Sequence, residues 1–75
     1  MQFLWDENNT RHLARHGVDP QLAEAVFRAG QDDIHGTSLR WRYVLEAEVD
    51  GSAYRLFFDR TTQGDAIYPV TCYPF

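Results

Sequence analysis

Midway along the chain the spacing of the apolar residues changes, and that change limits the folds open to it. Leu22, Ala25, Val26 and Ala29 recur at intervals of three and four, the stripe of an amphipathic helix. From residue 40 the interval becomes two: Trp41, Tyr43, Leu45, Ala47 and Val49 fall on one face, and Arg40, Arg42, Glu46 and Glu48 on the other. That alternation predicts a half-buried strand. Asp50-Gly51 follows, a dipeptide suited to the left-handed residues of a two-residue hairpin. The return strand alternates Tyr54, Leu56 and Phe58 with Arg55, Phe57 and Asp59. "RTTQGD" turns the chain again, and "AIYPVTCYPF" reads as a third strand. Pro69 cannot donate to a sheet ladder, so it implies an edge position or a bulge.

The first third of the chain supplies the other layer. "QFLW" reads as a short strand running into Asp6, a favoured helix N-cap. The helix is expected from Glu7 to His16, with Gly17 as its left-handed terminator and Val18 as the apolar contact behind it. Asp19-Pro20 begins a second helix, cap first and proline at the first helical position, and Gly30 is placed to end it. "QDDIHGTS" is polar loop with room for a short strand around Ile34. The expected fold is α+β: a short N-terminal strand, two helices, then a three- to four-stranded antiparallel meander whose aromatic face packs on the helices. Residues 1–75 form a single domain, without repeat or linker.

A chain of 75 residues has a small core, even with 15% aromatic side chains, and a homodimer mate or partner chain would add stability. All seven cations are arginine, against eleven carboxylates, for a net charge of -4. That balance argues against non-specific affinity for nucleic acid but permits a local basic patch. The single cysteine, Cys72, rules out an internal disulfide and suits a reducing compartment. With no apolar run of membrane-spanning length and no signal-peptide pattern, a cytoplasmic protein without membrane contact is expected.

The segment "TRHLARHG" stands out. His12 and His16 are four residues apart and share a helix face, with Arg11 and Arg15 beside them. A zinc site needs more ligands than two histidines, and His35 or Cys72 would have to supply them from distant segments. Leu13 occupies the position of the glutamate in a metalloprotease helix. No metal or other cofactor is therefore expected, and His35 reads as solvated surface. Helix termination alone would explain His16, since cations near a C-terminus gain roughly 0.3–1 kcal/mol from the macrodipole. Arg11 and Arg15, however, are themselves a like-charge pair at the unfavourable spacing of four.

RNA cleavage is the functional alternative. Attack of a ribose 2′-hydroxyl on the adjacent phosphate needs a proton acceptor, a proton donor and cations for the charge on phosphorus. Histidine serves the first two tasks and arginine the third. On this reading His12, Arg15, His16 and Arg60 are candidate catalytic residues. Arg11, Arg42, Tyr68, Thr71 and Tyr73 are candidates for holding RNA by charge, hydrogen bonding or stacking.

The opening "FLWDENNTRHLARHGVDPQLAEAVF" resembles the BrnT-like family of bacterial toxins. The matching residues are Trp5-Asp6, Asn9, Leu13, His16-Gly17-Val18, Ala23-Glu24 and Val26-Phe27, with a looser likeness in "IYPVTCYPF". The resemblance implies a RelE-like ribonuclease fold, action on RNA that blocks translation, and neutralisation by a cognate antitoxin encoded beside it in a type II toxin–antitoxin system. It implies roles for Arg11, His12, Arg15, His16, Arg60 and Thr71. The chain differs from the family in its acidic charge and in carrying Thr71-Cys72-Tyr73 where a Ser-Ala-Arg step is usual. A second expectation is therefore a non-catalytic protein-interaction module on the same fold.

Overall fold

Both helices begin where their aspartates predict. In the computed structural model, which describes residues 1–62 and 64–75, Asp6 caps helix α1 (Glu7–Ala14) and Asp19 caps α2 (Pro20–Gly30). The Asp19 carboxylate accepts from the Leu22 N–H at 2.8 Å, and Pro20 opens the first turn. Helix α1 is two residues shorter than expected at its C-terminus. His16 N–H bonds to Leu13 O at 3.0 Å and Gly17 N–H to Ala14 O at 3.0 Å, which tightens the turn and ends the α ladder at Ala14. Val18 N–H reaches Leu13 O at 3.1 Å, and Gly17 has φ +74°. This is a Schellman cap, with Val18 and Leu13 both buried in the core beneath it.

The five strands among the described residues form one sheet, ordered β1-β5-β4-β3-β2. They comprise β1 (Gln2–Phe3), β2 (His35–Gly36), β3 (Arg42–Val49), β4 (Ser52–Arg60) and β5 (Ala66–Pro74). The β3–β4–β5 meander is antiparallel as its alternation requires, and β2 adds an antiparallel edge at His35↔Val44. One pairing goes beyond the meander: β1 lies parallel to β5, with Gln2 opposite Ala66 and Phe3 opposite Ile67. The sheet is therefore mixed. Asp50 (φ 52°) and Gly51 (φ 82°) make the left-handed pair that joins β3 to β4.

Pro69 sits at a bulge, one of its two permitted settings. Thr71 pairs with Phe57 and Pro69 with Phe58, leaving Val70 as the extra residue. Both helices cover one face of the sheet, α2 over β3 and β4 and α1 along β5. Phe27 lies edge-on to Phe3 (5.4 Å) and to Phe58 (5.3 Å), and Phe58 stacks on Tyr43 at 5.8 Å. Leu13, Val26, Leu45, Leu56 and Cys72 fill the space between.

Three details depart from the sequence expectation. The buried stripe of α2 is Ala23, Val26, Phe27 and Gly30, rotated from the expected Leu22, Ala25, Val26 and Ala29; Ala29 is exposed. The larger apolar contact is made by turning Phe27 inward. Gly30 belongs to the helix rather than ending it. A Cβ there would lie 2.8 Å from Leu45 Cδ1 and 3.1 Å from Glu46 O, so glycine lets α2 approach β3 closely. Trp41 precedes β3 instead of joining its inner face and is 51% exposed.

Candidate nucleic-acid interface

A cleft of about 320 Å³ opens between α1 and the stretch of β5 beyond the end of β1. Arg11, His12 and Arg15 form its helical wall, with Asn8 and Asn9 a turn earlier; Tyr68 and Val70 form the strand wall. The bulge helps make the space, because Val70 is the residue that drops out of register with β4.

One buried polar side chain fixes this geometry. Asn9 is 2% exposed and is the sole buried polar or charged residue among those described. Its Nδ2 donates to Leu4 O at 3.0 Å and to Pro69 O at 2.9 Å. Its Oδ1 accepts from Asp6 N–H at 2.9 Å, while its own N–H donates to Asp6 Oδ1 at 2.9 Å. This is a capping box in which asparagine takes the place of the usual glutamate or glutamine. The Asp6 carboxylate also accepts from the Tyr68 hydroxyl at 3.0 and 3.1 Å. Burial first, then this hydrogen bond, raises the Tyr68 phenol above its ordinary pKa, so its hydroxyl stays a donor to Asp6. The Tyr68 ring is left to line the cleft.

The two histidines stand at the exposed edge of the same helix. Their rings are 5.9 Å apart, and His16 also meets Tyr73 at 5.8 Å. Tyr73 in turn contacts Phe57 at 6.5 Å and accepts from Arg55 at 3.3 Å. The histidine pair is thus continuous with the face of the sheet that the helices leave uncovered. Arg11 is ion-paired with Glu7 one turn earlier, both side chains exposed. Arg15 has no ion pair among the described residues and lines the cleft.

Of the nine residues singled out in the sequence, six gather here: Arg11, His12, Arg15 and Tyr68 in the cleft, and His16 and Tyr73 beside it. The other three lie away from it. Thr71 is half-buried on the uncovered face, opposite Phe57. Arg42 lies two strands away on that face. There it holds Asp59 through two hydrogen bonds of 2.7 and 3.0 Å, which raise its pKa. Arg60 follows Leu56 and Phe58 at strand spacing onto the helix-covered side, with its guanidinium 5.1 Å over the Tyr43 ring.

His35 is exposed at the far edge of the sheet and pairs with Asp33 at 3.3 Å. Cys72 is fully buried, and burial pushes its thiol up to about 12. Neither can reach the histidine pair, and among the described residues no group of three or more His, Cys, Asp or Glu converges as a metal site. The sequence reading missed Asp6, Asn8, Asn9 and Val70. Asp6 was legible only as a cap, and nothing local reveals that its second partner is Tyr68, 62 residues on.

Comparison with known proteins brings no match to a family model, to a curated protein or to a solved structure.

Proposed function

We propose that the protein is an endoribonuclease that works through side-chain acid–base chemistry, and that it acts as the toxin of a type II toxin–antitoxin pair in the cytoplasm. Its activity blocks translation, and a cognate antitoxin restrains it. The observation that carries the reading is the pair of exposed imidazoles 5.9 Å apart at the rim of a cleft walled by Arg11 and Arg15. Four proton-handling or phosphate-binding groups in six residues exceed what ending an eight-residue helix requires.

The chemistry balances without an added reactant. One imidazole takes the proton of a 2′-hydroxyl as its oxygen attacks phosphorus. The protonated imidazole of the other gives a proton to the departing 5′-oxygen. The products are a 2′,3′-cyclic phosphate and a 5′-hydroxyl end, and Arg15 faces the charge that develops on the phosphoryl oxygens. The Tyr68 ring offers a surface on which a base can stack.

The test is cleavage of RNA by purified protein in EDTA, beside a His12→Ala/His16→Ala variant. Both histidines are exposed, so the variant should keep the fold, which circular dichroism would verify. Cleavage by the parent protein is expected to fall by a factor of about 10²–10⁴ or more when both groups go. Equal cleavage by the two proteins, or none by either, would refute the reading.

A second reading is favoured by how few arginines remain free. Arg11, Arg28, Arg42 and Arg55 are ion-paired within the chain. A non-catalytic module that binds a protein partner is consistent with that, and with a net charge of -4. It predicts that the double histidine variant retains every interaction of the parent.

A further inference from the structure

At the opposite end of the sheet from the His16–Tyr73 contact, on the helix-covered side, lies a second cavity of about 280 Å³. Its floor is the buried core itself, Phe27, Phe58 and Ile67, and Tyr43 and Arg60 also line it. Ile34 and Met1 stand at the rim, 39% and 58% exposed. Trp41, 51% exposed, belongs to the same corner, where its carbonyl accepts the Arg60 N–H at 2.8 Å. Three of the five large hydrophobics exposed among the described residues, Met1, Ile34 and Trp41, therefore lie at or next to this opening. A cluster of this kind, rich in Trp, Met and Arg, is the composition of an interface centre rather than of ordinary surface.

Charge gives the sign of the partner. Arg60 lines the opening and forms no ion pair among the described residues. Arg60 lies over the Tyr43 ring, which fixes its plane while leaving its N–H edge available to a carboxylate. The volume falls just under the roughly 300–1,000 Å³ of small-molecule pockets, a size suited to one large side chain. A single anchor in a pocket, with a charged pair beside it, is the usual centre of a protein contact.

We propose that this cavity receives one large apolar side chain from an acidic segment of a partner protein, and that Arg60 pairs with the carboxylate next to that anchor. The inference is independent of the ribonuclease reading, since Arg60 stands apart from the cleft.

The test uses ¹⁵N-labelled protein and three capped hexapeptides: Glu-Glu-Leu-Trp-Glu-Glu, the same peptide with Lys for every Glu, and Glu-Glu-Ala-Ala-Glu-Glu. The first is expected to shift the amide signals of Ile34, Tyr43, Arg60 and Ile67, and the other two to leave them in place. Arg60→Gln should weaken the first peptide by about tenfold, the loss of one charge-assisted contact. If Arg60→Gln fails to fold, Ile34→Asp at the exposed rim must abolish the shifts. No shift at millimolar peptide, shifts elsewhere, or equal binding of the lysine peptide would overturn the proposal. So would shifts at these residues on concentrating the protein alone, which would make the occupant a second copy of the chain.

Discussion

Replacing Asn9 by alanine should be among the costliest single substitutions in this protein, although it deletes only a small polar group. The change removes three side-chain hydrogen bonds, to Leu4 O, Pro69 O and Asp6 N–H. The Pro69 carbonyl is buried, and a buried group left without a partner costs about 1–3 kcal/mol. The other two are part-buried and stand near the lower end of that range. Alanine recovers about 0.5 kcal/mol of helix propensity over asparagine. The net loss comes to about 3 kcal/mol. A 75-residue domain has on the order of 4–11 kcal/mol in all, at 0.05–0.15 per residue. Thermal melts followed by circular dichroism should show Tm falling by roughly 12–24 °C, at 4–8 °C per kcal/mol. Asn8→Ala is the control, because Asn8 is exposed and has the same chemistry one residue earlier. Its effect should stay within about 0.5 kcal/mol. A loss below about 1 kcal/mol for Asn9→Ala, or equal losses for the two variants, would show that the network does not tie the helix to the sheet as described.

Other outcomes follow from the same packing. Gly30→Ala gains helix propensity but forces a Cβ to within 2.8 Å of Leu45 Cδ1, so urea titration should show a net loss of about 1–2 kcal/mol rather than a gain. Stability should decline as pH rises from about 9 towards 12. The unfolded chain gives up the Cys72 proton in that window while the folded chain keeps it, and a Cys72→Ala variant should flatten the slope. The same burial implies that a thiol reagent modifies Cys72 only at the rate of unfolding. Tyr68→Phe removes the bond to Asp6 without emptying the cleft. It should lower stability by about 0.5–1.5 kcal/mol while leaving any stacking contribution to RNA binding intact, read as Tm against Kd.

The elements that were legible in the sequence are those written by neighbours. Asp6, Gly17, Asp19-Pro20 and Asp50-Gly51 act on backbone within a few residues of themselves, and each does what its residue type requires. The histidine pair was legible for the same reason, since a spacing of four on a helix is a local fact. What could not be read depends on parity or on distant partners. Charge alone groups Arg60 with the histidines, yet strand alternation from Leu56 and Phe58 sends it away from them, onto the helix-covered side over Tyr43. Arg42 has the charge to hold RNA, but Asp59, its cross-strand neighbour, engages it. Trp41 fits the alternation of β3 perfectly well but lies one residue before the pairing begins. Asn9 looks like a surface residue of a polar helix, because the carbonyl that explains it comes 60 positions later.

The parallel pairing of β1 with β5 also sets a schedule for synthesis. Gln2 and Phe3 are made more than 60 residues before their partners Ala66 and Ile67. At roughly 5–20 residues per second, a ribosome leaves the opening strand unmatched for several seconds. Over that interval α2 has only the β3–β4 hairpin to rest on, while β1 and α1 wait for β5, which is encoded behind them. Neither helix is long enough to persist alone in water. The α1 side of the fold, and the cleft it walls, is therefore completed only once β5 has emerged and paired with β1 and β4.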